Sequence, residues 1–142
     1  MGFRFLDHTA DLAVEVTAPT IPGLFAEAAR AFADCITDVD ALEPRQRLNV
    51  QLAAGDLDEL LVEFLGELLF RFEGGGFLPC RALMSLDGDS ETGWTLQARL
   101  EGEPFDLDRH PYRTQIKGIT WHGLVLERRD DETWHAVIVL DV

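Results

Sequence analysis

The sequence predicts an α+β fold in which one strand-helix-strand-strand unit is inserted into a second such unit. Several short segments alternate apolar and polar residues, as half-buried strands do. Two longer segments repeat apolar residues every three or four positions, as amphipathic helices do. Each helical segment follows a strand, and the later strands are joined by turns. Two helices on one face of mostly antiparallel sheets are typical of the α+β class.

The outer unit begins with strands and a helix. Apolar runs at residues 3–6 and 12–16 predict the first two strands. Thr20 is suited to cap the N-terminus of a helix, and Pro22 falls in its first turn. Apolar residues at helical spacing then predict a helix that ends near Ile36, before a polar connection.

The inserted unit repeats this order. Alternating residues at 48–52 predict a strand, and Asp56 followed by Glu59 resembles a capping box at the start of a helix. The helix should run from residue 57 to 72 and end at the glycine run 74–76, because glycine adopts the backbone conformation that ends helices. Two strands are predicted next, at residues 77–86 and 94–100, with a turn between them.

The remaining chain completes the outer unit. A loop at residues 105–111 is followed by a long predicted strand at 114–127, a tight turn and a last strand at 133–140. Both faces of the last strand are apolar, so we expect it to be central in its sheet. No segment resembles a flexible linker. We therefore expect a single domain over residues 1–142, with the inserted unit at roughly residues 46–102.

Composition indicates a soluble globular protein that works in the cytoplasm. The chain has 142 residues, of which 46% are hydrophobic and 27% charged. It contains neither a membrane span of about 20 apolar residues nor a signal peptide pattern. The two cysteines, Cys35 and Cys80, form no CxxC motif, and Cys35 falls on the apolar stripe of the first helix. A reducing compartment fits this cysteine usage.

The charge balance restricts the classes of partner. Twelve basic and 26 acidic residues give a net charge of −14. Such a chain is repelled by phosphate backbones, so we expect no stable direct binding to nucleic acid. A cation or a basic protein is a better match. Eleven of the basic residues are arginine, and Lys117 is the only lysine.

Common catalytic motifs are absent from the sequence. It has no phosphate-binding glycine loop followed by Lys-Ser/Thr, no G-x-S-x-G, no HExxH and no Cys/His pattern with zinc spacing. A dispersed set of polar residues remains as candidates: Asp7, His8, Asp11, Lys117, His122 and Asp141. The pattern alone does not identify a classical hydrolase.

Within that set, the two histidines have ordinary structural explanations. His8 is suited to hold a turn, and His122 to be a core histidine with its hydrogen bonds satisfied. A bulge at Gly118 or Gly123 would change the face on which His122 lies. Asp7 can be a simple turn former at the end of a strand.

Asp11 and Asp141 are the stronger candidates, because each directly adjoins an apolar strand. A carboxylate in that position needs hydrogen bonds, a cationic neighbour or a metal. Together with the terminal carboxylate of Val142 they would form an all-oxygen site suited to Ca²⁺, Mg²⁺ or Mn²⁺, and Lys117 is an alternative cationic neighbour.

Three motifs together resemble the archease family: residues 7–11 (Asp-His-Thr-Ala-Asp), 116–122 (Ile-Lys-Gly-Ile-Thr-Trp-His) and 139–142 (Val-Leu-Asp-Val). The block 102–106 and the helix ahead of the glycine run also fit, so the resemblance covers essentially the whole chain. Two positions depart from the family pattern. Gly118 replaces the usual alanine and Gly66 the usual asparagine, and neither change removes a charged candidate.

The resemblance implies a specific function. Archeases are accessory proteins of the RtcB-class RNA ligase, which joins RNA ends in tRNA splicing and RNA repair. The ligase uses GTP and a divalent metal and passes through a guanylylated histidine. The archease promotes guanylylation and multiple turnover without catalysing a reaction itself.

The resemblance also assigns residues and a cofactor. It implies that Asp11, Asp141 and Val142 hold a divalent metal, most often calcium, with magnesium or manganese as alternatives, and that Lys117 acts on the partner ligase. Two other classes stay open. One is a metal-dependent phosphoesterase that uses His8, Asp11, His122 and Asp141, and the other is a chaperone-like binding protein.

Overall fold

A computed structural model of the chain describes residues 1–6 and 11–142. The candidates Asp7 and His8 lie outside the described residues. The elements, in chain order, are β1 (Gly2–Leu6), β2 (Leu12–Ala18), α1 (Ile21–Ile36), a 3₁₀ turn (Val39–Ala41), β3 (Gln46–Ala54), α2 (Leu57–Gly75), β4 (Phe77–Asp89), β5 (Gly93–Pro104), β6 (Gly118–Arg128) and β7 (Trp134–Asp141). No helix among them is both long enough and apolar enough to cross a membrane.

The strands form two antiparallel sheets, and their order confirms the predicted α+β fold. The first sheet has the order β1-β2-β7-β6 and the second the order β3-β5-β4. The second sheet and α2 come from one continuous segment, residues 46–104, which lies between α1 and β6 in the chain. Its order, strand-helix-strand-strand, repeats the order β2-α1-β6-β7 of the first sheet. The final strand β7 is central, as predicted, between β2 and β6.

Local sequence explains where the helices begin and end. The hydroxyl of Thr20 accepts a hydrogen bond from the Gly23 N–H at 3.1 Å, which confirms the predicted cap of α1. At α2 the Asp56 carboxylate accepts from the Glu59 N–H at 2.8 Å. The Glu59 carboxylate does not return to Asp56, as a capping box would require, but accepts from the Gly55 N–H at 3.3 Å. Gly76 ends α2 with φ of 79°.

A single hydrophobic core joins both sheets and both helices. α1 packs against β2 of the first sheet and β4 of the second, while α2 packs against β3, β5 and β6. The large side chains that are fully buried come from the helices and the second sheet, and they include Phe25, Phe32, Phe64, Leu78, Leu96 and Leu100. The first sheet adds smaller buried side chains, among them Val14 and Val16. Cys35 is buried in this core, as predicted, and burial raises the pKa of its thiol to about 12. Cys35 is therefore a packing residue and not a nucleophile.

The strand predicted at residues 114–127 begins later than expected, at Gly118. The segment before it is held elsewhere: the Arg113 N–H donates to the Ile36 carbonyl oxygen at 2.8 Å, at the end of α1, and Ile116 is buried in the core. Only at Lys117 does the chain meet β7. Tertiary contacts with α1 thus override the alternating pattern that predicted a strand.

The prediction that His122 is a core histidine is wrong, because its side chain is exposed. The physical reason is a bulge in β6. The register between β6 and β7 shifts between Thr120 and Val125, and Gly123 within this stretch has φ of 76°. A bulge at Gly123 was one of the two positions that the sequence indicated, and it carries His122 out of the regular ladder.

Gly102 on β5 leads to a stability prediction. An added Cβ at this position would overlap the carbonyl oxygen of Leu78 on β4, where backbone cannot give way cheaply. We expect Gly102→Ala to lower the free energy of unfolding by about 3 kcal/mol, measured by urea denaturation. Gly66→Ala is the matched control: in the part of the chain that the structure describes, nothing lies within 4 Å of its added Cβ, and alanine favours helix α2. Equal stability of the two variants would contradict the close approach of β4 and β5.

Candidate functional site

The residues predicted for the metal site lie at one end of the first sheet. β2 pairs with β7 so that Leu12 stands opposite Leu140. The same register, continued by one residue, sets Asp11 against Asp141. Asp141 is exposed and Asp11 half-buried. Carboxylates directly opposite on antiparallel strands repel each other unless a cation is present. The fold therefore brings together two residues that are 130 positions apart in the chain.

Lys117 is fixed beside these carboxylates through its backbone. Its N–H donates to the Asp141 carbonyl oxygen at 2.7 Å, and Gly118 is the residue that pairs with Asp141. The side chain of Lys117 is exposed, so its ammonium group can reach a partner molecule. Gly118 has no side chain, and an added Cβ there would meet nothing within 4 Å among residues 1–6 and 11–142.

The loop that carries Lys117 spans residues 105–117 and is anchored at both ends. The Phe105 N–H donates to the Gly76 carbonyl oxygen at 2.8 Å, where α2 ends. Farther along, the Arg113 guanidinium lies 3.0 Å from a carboxylate oxygen of Asp34 on α1. These contacts, with the buried side chain of Ile116, fix the path of the chain into β6.

A buried charged cluster at the start of this loop was not predicted from the sequence. Glu103, at the end of β5, is 1% exposed and His110 is 2% exposed. The Glu103 carboxylate forms two hydrogen bonds with the Arg109 guanidinium and accepts from the Glu43 N–H at 2.6 Å. His110 Nε2 lies 3.3 Å from Glu103 Oε2. The cluster joins the inserted unit to the loop that carries Lys117.

The hydrogen bonds of the cluster define its protonation states. His110 Nδ1 accepts from the Asp106 N–H at 2.9 Å, so the proton of a neutral imidazole is on Nε2, facing Glu103. Burial alone would raise the pKa of Glu103, but the bonds from Arg109, the Glu43 N–H and His110 outweigh it and lower that pKa to about 2. Glu103 is therefore a buried carboxylate in a structural ion pair.

A second charged cluster lies at the opposite end of β7. His135 Nε2 is 3.0 Å from a carboxylate oxygen of Glu15, and Nδ1 is 3.2 Å from one of Glu127. Hydrogen bonds from Arg4 and then from His135 lower the pKa of Glu15. Because both ring nitrogens face carboxylates, only the imidazolium form satisfies both contacts. This cluster ties β6 and β2 to β7 and is remote from Asp141.

The donor set at the Asp11–Asp141 end fits a hard divalent cation. Among residues 1–6 and 11–142, no three His, Cys, Asp or Glu side chains are grouped to hold a metal. The side-chain donors brought together are the two carboxylates, and Val142 directly follows Asp141. The carboxylate donors are oxygen atoms, as Ca²⁺, Mg²⁺ and Mn²⁺ prefer, and a partner or solvent would have to complete the coordination. His122 lies on the bulge of β6, where its side chain is exposed.

The chain is similar to known proteins over its whole length. The sequence model of the Archease protein family matches residues 3–142. Protein archease from Methanopyrus kandleri is 40% identical over 142 residues, which cover 100% of both chains. Protein archease from Thermococcus gammatolerans is 32% identical over 136 residues, covering 96% of this chain and 95% of that protein.

Solved structures agree with the fold. The solution structure of Methanobacterium thermoautotrophicum protein 1598 superposes with a TM-score of 0.79, at 25% identity and 99% coverage of each chain. A crystal structure from Thermotoga maritima, described as an archease and possible chaperone, gives a TM-score of 0.59 at 18% identity and covers 96% of this chain and 94% of that one. The latter shows likeness of fold alone. The match of the family model over residues 3–142 shows that this chain belongs to the archease family.

Proposed function

We propose that the chain activates an RtcB-class RNA ligase in tRNA splicing or RNA repair, promoting GTP-dependent guanylylation of the ligase and its multiple turnover. The observation that carries this proposal is the convergence of Asp11, Asp141 and Lys117 at one end of the first sheet. In this proposal the chain has no catalytic turnover of its own. Its site works on a reaction that takes place in the ligase, in the cytoplasm.

In the proposal, Asp11, Asp141 and Val142 hold a divalent metal, Ca²⁺ first and Mg²⁺ or Mn²⁺ as alternatives. When bound, the metal supplies positive charge near phosphate oxygens. Lys117 adds an ammonium group that can contact the same phosphates, because its side chain is exposed. Positive charge placed where negative charge develops is the main source of rate enhancement in phosphoryl transfer.

Single-turnover guanylylation of an RtcB-class ligase, with and without the chain, tests the function. We expect the chain to raise the rate, and a rate that does not change would refute the proposal. We expect the isolated chain not to hydrolyse a phosphodiester, as a phosphoesterase would. We also expect it not to suppress the aggregation of unrelated proteins, as a general chaperone would. Turnover of a phosphodiester by the isolated chain, without an effect on the ligase, would favour the phosphoesterase. Suppression of aggregation that Asp11→Ala leaves untouched, again without an effect on the ligase, would favour the chaperone.

Calorimetric titration with Ca²⁺ tests the metal site without the ligase. We expect Asp11→Asn and Asp141→Asn each to weaken Ca²⁺ binding at least tenfold, because each removes a charged ligand. Asp87→Asn is the matched control, an exposed aspartate on β4 in the second sheet. Unchanged Ca²⁺ affinity in both site variants would remove the metal from the proposal.

A further inference from the structure

The edge strand β6 contains an unusually long bulge close to the proposed site. Thr120 pairs with Val139 and Val125 pairs with Val137, so residues 121–124 stand opposite Ile138 alone. In an ordinary bulge, two residues of one strand stand opposite one residue of its partner, whereas here four residues stand opposite one. Bulges of this kind re-aim side chains and are common next to functional sites.

The bulge has a defined conformation and is held from several sides. The His122 N–H donates to the Thr120 hydroxyl at 3.0 Å. Gly123 has φ of 76°, and an added Cβ there would come within 3.1 Å of a Val139 methyl group, so the backbone lies directly on the sheet. Leu124 packs against the hydrophobic core. The fold therefore fixes which side chains of the bulge face outward.

The bulge places a tryptophan in solvent. Trp121 is 54% exposed, whereas the other two tryptophans, Trp94 and Trp134, are half-buried against the core. Val125, just after the bulge, is 37% exposed and extends the apolar surface. Tryptophan in solvent gains little for folding, and it is among the residues most enriched at the energetic centres of protein interfaces.

Position connects Trp121 with the proposed site. It lies four residues after Lys117, roughly 13 Å along the strand at the usual rise per residue. Lys117 is hydrogen-bonded to Asp141 through its backbone, so a protein that covers Lys117 and Asp141 is large enough to contact Trp121 as well. Exposed acidic groups adjoin this surface, Asp141 at one end of β6 and Glu127 near the other.

We propose that Trp121 is the anchor by which the chain docks onto the ligase. This inference rests on the proposed function and adds where the partner binds. Trp121 inserts into an apolar pocket of the ligase, and the net charge of −14 favours a basic rim around that pocket. Docking then belongs to Trp121, and activation of the docked ligase belongs to Lys117 and the carboxylates.

The two roles separate in a titration of guanylylation rate against the concentration of the chain. Trp121→Ala should raise the concentration that gives half-maximal stimulation by about 30-fold, with the maximal rate kept, because anchor residues act through affinity. Lys117→Ala should lower the maximal rate and leave the half-maximal concentration within about threefold. Direct binding to the ligase, measured by calorimetry, should show the same split between the two variants.

Two further variants control the experiment. Phe70→Ala removes an aromatic side chain that is 66% exposed on α2, and it should change neither quantity. Gly123→Ala keeps Trp121 but strains the bulge, and it should also weaken docking. Circular dichroism of each variant tests whether its fold is intact, and we expect the spectrum of the unaltered chain in every case.

The outcomes distinguish this inference from the proposed function. If the unaltered chain neither binds nor stimulates the ligase, the proposed function fails. If it stimulates while Trp121→Ala keeps the same half-maximal concentration, the docking inference is overturned and the proposed function stands. Loss of maximal rate alone in Trp121→Ala would also overturn it, because the residue would then act after docking.

Discussion

Replacing Lys117 with alanine should lower the stimulated rate of ligase guanylylation by about 100-fold at saturating chain. Removing one preorganised positive group from a phosphoryl-transfer site has an effect of this order. The ammonium is exposed and its place is set by a backbone hydrogen bond to Asp141, so the fold should not change. Single-turnover guanylylation with radiolabelled GTP measures the rate.

Two variants sharpen the Lys117 experiment. Lys117→Arg keeps the charge but replaces a compact ammonium with a planar guanidinium, and we expect it to recover less than a tenth of the stimulation. Arg128→Ala removes one positive charge at the far end of β6, where the side chain is exposed, and should leave the rate unchanged. Full stimulation by Lys117→Ala would show that Lys117 has no part in the reaction.

Replacing Glu103 with glutamine should lower the free energy of unfolding by about 3 kcal/mol at neutral pH, because it leaves buried groups without their charged partner. For a domain of this size the melting temperature should fall by roughly 10 °C. Glu43→Gln is the matched control. Glu43 is 56% exposed and also contacts Arg109, and such surface pairs contribute less than about 1 kcal/mol. Equal effects of the two substitutions would contradict the structural role of the buried cluster.

The same residue predicts how stability depends on pH. The pKa of Glu103 falls from 4.5 to about 2 in the folded chain. A carboxyl with a lowered pKa contributes stability that is fully present above its unfolded pKa and is lost as the pH falls through the folded pKa. The unaltered chain should therefore lose this contribution between about pH 4.5 and pH 2. Urea denaturation across this range should show that the free energy of unfolding falls less with decreasing pH in Glu103→Gln than in the unaltered chain.

The elements were predictable from the sequence where local patterns decide the structure. Thr20 and the glycines after α2 mark helix ends by their own chemistry, and the alternation in β3 shows which face is buried. The start of β6 was not predictable, because the preceding loop is held by the end of α1, far away in the chain. The face of His122 was not predictable either, since it depends on the register of the bulge against β7.

The site was predictable only in part for the same reason. Asp11 and Asp141 adjoin apolar strands, which marked them as candidates, and the pairing of β2 with β7 brings their positions together. Glu103 and His110 had no such signal. A charged residue between Gly102 and Pro104 is typical of an exposed loop, and only the tertiary fold shows that Glu103 is buried. The amino-acid sequence shows which side chains are polar, but not which of them are in contact in the folded chain.

The insertion of one unit into another also orders the folding of the chain. The strands and helix of residues 46–104 lie closer together in the chain than β2 and β7 do, so we expect this segment to form earlier. Pairing β2 with β7 must close a loop of more than 100 residues, at a cost in chain entropy that grows with loop length. A folded inner segment shortens that loop. The end of the sheet that carries Asp11 and Asp141 should thus be among the last parts of the molecule to form, and early stages of folding should not yet bring these two carboxylates together.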